Sequence, residues 1–214
     1  MVTFTNGGTV AHQTYLEDID MIGASIATTL GTWSISGEVA YTPDRPVLTT
    51  FDDYFFVQDG QAWEEHDTVT ASVHGLWLGG PLVLGIDSQF VALQLGMDYI
   101  DGDRSRLAPQ GDITNDPDAM VDSTAWGVAA EWDGTWQAVV PNLDITLALF
   151  AQYDFSGNSH NWGNFAEDRL LTSAGLTFAY GSPWEFGINY ARMDFSKSAF
   201  RTRDTINFSV NYKF

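Results

Sequence analysis

Apolar and polar residues alternate with a period of two through most of this chain, in about nine runs bounded by Gly, Pro, Asn or Asp. Period two is the repeat of a β-strand, whose successive side chains point to opposite faces. The runs span roughly 18–30, 32–42, 67–79, 89–100, 122–133, 142–155, 170–180, 184–195 and 206–214. The sixth sets Leu143, Ile145, Leu147, Leu149, Ala151, Tyr153 and Phe155 on one side, with Asp144, Thr146, Ala148, Phe150, Gln152 and Asp154 on the other. The ninth alternates without exception, Ile206, Phe208, Val210, Tyr212 and Phe214 against Asn207, Ser209, Asn211 and Lys213. The pattern predicts an all-β protein with one apolar and one polar face.

The connections carry a second regularity. Read back from the C-terminus they are a modest loop at 197–202, a tight turn at Gly181-Ser182-Pro183 and a longer polar loop at 156–168. A moderate turn at 134–141, a long acidic loop at 101–121, a short Gly/Pro link at 80–88, a very long loop at 43–66 and a tight turn at Gly31 follow. Long loops on one side and short turns on the other are the layout of a membrane-spanning barrel, and a soluble sandwich has no reason to show it. The expected fold is therefore an antiparallel up-and-down transmembrane β-barrel, with 1–214 as a single barrel region. No run approaches the roughly 20 apolar residues of a spanning helix. A hydrophobic content of 44% does not oppose a barrel, whose lipid-facing and lumen-facing residues alternate, and 14% aromatics would furnish two interfacial girdles.

An odd count of nine leaves residues 1–17 on the outer side as the remnant of an external loop, because single-chain bacterial barrels keep both ends inside. Residues 1–8 also lack the basic region and apolar core of an export signal. Earlier strands are thus expected ahead of Met1, the nine being the C-terminal part of a larger barrel; the alternative is a closed barrel of eight or ten strands, with one strand miscounted.

The terminal strand resembles the C-terminal signal of bacterial outer-membrane β-barrels, which implies an assembly role for Phe208, Tyr212 and Phe214 through the barrel-insertion machinery. Residues 15–46 carry a Glu17-Asp18-Ile19 entry, a Gly31-Thr32-Trp33-Ser34 turn and an exit, Gly37-Glu38 followed by Tyr41, Pro43 and Pro46. This segment resembles a family of large proteobacterial outer-membrane proteins, a domain of unknown function. The resemblance implies an outer-membrane location and a truncated start; it supplies no activity and no site residues.

Net charge is −19, from 28 acidic and 9 basic residues, which argues against a nucleic-acid partner. The expected partners are outer-membrane lipid, lipopolysaccharide and a small solute whose identity the sequence does not select. With no cysteine, thiolate nucleophiles and thiolate metal sites are excluded. His12, His66, His74 and His160 show no metal spacing and no nucleophile elbow appears, so neither catalysis nor a cofactor is expected. The loop acids Asp101, Asp103, Asp112, Asp116, Asp118 and Asp122 do not have the spacing of an EF-hand.

The alternation assigns Glu38, His74, Gln94, Asp98, Glu131, Asp144, Gln152, Asp154, Glu185 and Asn189 to the polar face as pore-lining candidates. Carboxylates along a narrow aqueous path favour cations over anions. The expected function is a channel or uptake protein passing small solutes. The alternatives are a surface structural or interaction barrel with a plugged lumen, and lateral uptake of apolar molecules.

Overall fold

The computed structural model describes residues 2–5, 8–11, 18–48, 63–80, 85–105, 107, 120–161, 163–181, 183–195 and 202–213. A short hairpin, β1 (Val2–Thr5) with β2 (Gly8–Ala11), pairs only with itself. The remainder is one nine-stranded sheet: β3 (Ile22–Leu30), β4 (Trp33–Leu48), β5 (Trp63–Gly79), β6 (Ser88–Ile100), β7 (Thr124–Val140), β8 (Leu143–Ser156), β9 (Arg169–Tyr180), β10 (Trp184–Phe195) and β11 (Arg203–Tyr212). Each strand pairs antiparallel with the next in sequence, an uninterrupted up-and-down meander. The sheet is not closed, and β3 and β11 are its edges.

The register carries one apolar face through all nine strands. Ile26 lies beside Gly37, Val73, Leu95 and Val128 in turn, and Val128 beside Tyr153 and Leu170. On the far side Leu176, Ile188 and Phe208 form one row. This face is exposed: Ile26 at 74% and Phe208 at 77% are more open to solvent than any core residue, so it is no hydrophobic core. Aromatic residues gather at both of its ends. Trp33 and Trp77 are 6.5 Å apart near the tight turns, where Trp184 also meets Tyr212 edge-on at 4.8 Å. Tyr41, Tyr99, Tyr153 and Tyr190 stand toward the opposite, long-loop end.

Two connections differ from the sequence expectation. Residues 134–141 are not a turn, because β7 runs on to Val140 and a two-residue turn at Pro141-Asn142 follows, with Asn142 at φ 69°. The alternation is lost at 137–139 because the register slips between Trp136 and Val140. Acids of neighbouring segments satisfy the slipped backbone: Gln137 N–H donates to Asp87 and Ala138 N–H to Asp144 at 2.8 Å. The loop at 43–66 is likewise shorter, since β4 and β5 continue past a shift after Thr42 to pair Arg45 with His66 and Leu48 with Trp63. Residues 49–62 and 108–119, within the two long acidic loops, and Phe214 lie outside the described residues.

Among the described residues, Val47, Ile100, Leu107 and Val121 form one buried apolar cluster at the long-loop end, while Ile86 is buried in the short link before β6.

Candidate functional site: a polar trough under an inward-folded loop

The polar face is concave. Side chains and backbone from β3 through β8 line a single cavity of about 510 Å³. Six strands at about 4.8 Å spacing would stretch about 24 Å if flat, so the sheet curls toward this face. Space remains because Ala92, Ala129, Gly96 and Gly127 on the central strands carry little or no side chain.

The connection between β8 and β9, residues 157–168, folds back over the trough, and two buried carboxylates hold it there. Asp98, 1% exposed, accepts the Ser159 hydroxyl and the Asn164 amide at 3.0 Å. Asp154, fully buried, accepts Arg169 Nε at 2.5 Å and the Ala166 N–H at 3.0 Å. Arg169 in turn donates to the carbonyls of Gly163, at 3.2 Å, and Asn164. One guanidinium therefore links the trough floor to the loop tip, and the planar fork of Arg suits that bridging. Asn158 ties the loop base to its neighbour: its N–H meets Asp122 at 2.9 Å and its side chain the Met120 carbonyl at 3.2 Å.

Phe165 is the loop's apolar anchor. Its ring rests over Gly96 and Gly127, where a Cβ would come within 2.8 and 2.6 Å of it. A side chain at either position would have to displace the ring. Below Phe165 lies a second cavity of about 360 Å³, lined by Glu38, Ser72, Gln94, Gln152 and Asn164. Gln94 and Ala129 line both cavities, so the two are neighbours along the trough.

Glu38, Ser72 and His74 form a hydrogen-bonded chain between the cavities. The Ser72 hydroxyl donates to Glu38 Oε1 at 3.0 Å and lies 2.8 Å from His74 Nε2. A hydroxyl has one hydrogen, so the proton between Ser72 and His74 is assigned to Nε2. The order differs from a nucleophilic triad, in which the imidazole stands between acid and hydroxyl. Here the hydroxyl is in the middle, donating to the carboxylate and accepting from the imidazole.

At the long-loop end His66 donates through Nδ1 to the Asp101 carbonyl at 2.7 Å. Its Nε2 lies 3.6 Å from Glu64, beyond hydrogen-bond range. His160 is driven down to about 4, chiefly by burial and further by Arg45 and His66, with Asp98 opposing. Among the described residues no three acids or imidazoles converge in a way that could hold a metal ion.

Over residues 2–214 the chain matches a family described as a protein of unknown function, DUF1302. The chain belongs to that family. No curated protein matches it, and no solved structure does. The match covers nearly the whole chain, residues 15–46 included.

In this DUF1302 protein the ten polar-face candidates fall into three groups. Glu38, His74, Gln94 and Glu131 line the cavities. Asp98 and Asp154 anchor the loop, and Gln152, which also lines the second cavity, donates to Asp154 at 3.0 Å. Asp144, Glu185 and Asn189 lie nearer the tight turns. Asp144 caps the β7 slip, and Glu185 accepts Asn211 and Lys213, each at 3.2 Å. Asn189 faces Gly175 on β9 and Asn207 on β11. Of the other assembly residues, Phe208 and Tyr212 are exposed on the apolar face of edge strand β11. Sequence reasoning did not single out Arg169, Ser159, Asn164 or Phe165. The available signal was an arginine at the end of a polar loop in a chain with only nine basic residues.

Proposed function

We propose that the sheet is part of the wall of a bacterial outer-membrane β-barrel whose polar trough passes small solutes, with a preference for cations. The observation that carries this reading is the exposed apolar face running through all nine strands, bounded by aromatic residues at both ends. Water would penalise such a face; a hydrocarbon layer favours it, and aromatic girdles mark where that layer ends. From Trp33 to Tyr41 the band is nine residues long, within the range of about 9–11 for a tilted spanning strand. Lipid cannot satisfy unpaired backbone groups, so in this reading the wall continues past β3 and β11 with further strands. The carboxylates Glu38 and Glu131 on the trough supply the cation preference.

The inward loop and the apolar cluster at the long-loop end favour a second reading, a surface barrel with a plugged lumen. Planar-bilayer conductance of the full-length gene product in a salt gradient separates the two. Steady steps with a cation-selective reversal potential support the solute path; a folded, silent barrel supports the plug.

A further inference from the structure

We propose that the trough is a binding site for organic cations, a protonated amine or quaternary ammonium carrying an apolar group. The proposal rests on the polar face being the water-filled side of a barrel wall. Glu131 and Phe150 are direct cross-strand partners of β7 and β8, and both line the larger cavity. Such partners have Cβ atoms about 5 Å apart, so one ligand can touch carboxylate and ring together. Glu38 and Phe165 repeat the combination in the smaller cavity. Glu38 shares a row with Ser72 and Gly96, and Phe165 lies over Gly96. Gln94 stands between the two sets with its amide exposed on the shared wall.

The lining selects this chemistry over its rivals. No lysine or arginine is among the described lining residues, so a bound anion would meet Glu38 and Glu131 without a permanent positive charge opposite. A bare divalent ion would need six to eight converging oxygens, and among the described residues no such group exists. Leu76, Ala92 and Phe150 line the larger cavity beside Glu131, a wall that favours an apolar substituent. A ring face attracts a cation most when water is excluded, and quaternary ammonium ligands are recognised this way. A volume of about 510 Å³ is that of a small-molecule site.

The test is calorimetric titration of the full-length gene product in lipid nanodiscs with benzyltrimethylammonium, and separately with benzoate and glucose. Saturable binding of the ammonium probe alone, weakened about tenfold by Glu131→Gln and by Phe150→Leu, is expected. Binding of benzoate or glucose as tight as that of the ammonium probe would overturn the proposal. So would unchanged affinity in both variants with the β-sheet circular dichroism retained; a variant that fails to fold leaves the other variant and the probe comparison to decide. Potassium conductance of the same preparation keeps the two readings apart. A conducting barrel without saturable binding overturns the ligand site and retains the solute path. A silent barrel that binds the ammonium probe retains the site and overturns the path.

Discussion

Arg169 and Asp154 are the residues on which the inward loop turns. Both are buried, and Arg169 is the one charge-compensating partner given to Asp154 among the described residues. Removing one member of a buried pair leaves an uncompensated charge and costs about 3–5 kcal/mol, more than the pair contributes over an apolar substitute. Arg169→Ala should therefore release 157–168 from the trough. Limited proteolysis of the reconstituted protein reads this directly: new cleavage within 157–168 is expected, and an unchanged pattern would show that the loop is held by other contacts. His160 adds a pH dependence. Its folded value of about 4 lies below the ordinary 6.5 because burial disfavours the cation. The unfolded loop thus binds the proton more readily, and docking is strongest above pH 6.5, weakens as pH falls toward 4 and levels off below. Protease sensitivity of the loop should rise between pH 7 and pH 4.5, and His160→Gln should remove that part of the rise. At this scale the sequence placed Asp98 and Asp154 on the polar face but not their partners. Asp98 meets Ser159 and Asn164 across 61 and 66 residues, contacts with no local signature.

Strands are the level at which the sequence was most legible. All nine were visible from their alternation, and the face assigned to each residue follows from the register without a strand being inverted. Errors fell where strands are irregular. The slip after Trp136 breaks the period, so the end of β7 reads as a turn; the shift after Thr42 hides the last part of β4. A substitution pair on β8 tests the faces. Leu149 is 42% exposed on the apolar face, whereas Ala148 points to the polar face opposite Asp133. In a bilayer Leu149→Arg should cost about 2–4 kcal/mol. Ala148→Arg gains a carboxylate neighbour and should cost far less. Urea unfolding of both variants in lipid vesicles measures the difference, and the reverse ranking would mean that the apolar face is not the lipid face.

For the whole molecule the decisive property is the division of one sheet into an exposed apolar side and a concave polar one. The net charge of −19 falls partly on that concave side, where a low-dielectric wall focuses the field of its carboxylates. Neutralising Glu38 and Glu131 together, by Glu38→Gln with Glu131→Gln, should move the reversal potential in a salt gradient toward the non-selective value while steps persist. Conducting steps with unchanged cation selectivity would place the filter elsewhere. The free edges at β3 and β11 act at the same scale, since each is a row of backbone groups awaiting a partner strand.

The sequence by itself determined the strand class, the number of strands in the main sheet and the face on which side chains lie where a strand is regular. These depend on the two-residue repeat of an extended backbone, a local property that a one-residue slip would invert. Only the tertiary structure decided that 157–168 turns inward, that Gly96 and Gly127 seat Phe165, and that two of the polar-face acids hold a loop while Glu38 and Glu131 line cavities. Those outcomes depend on sheet curvature and on which distant groups can bring a buried carboxylate its hydrogen bonds, neither of which is encoded in any short stretch of the chain.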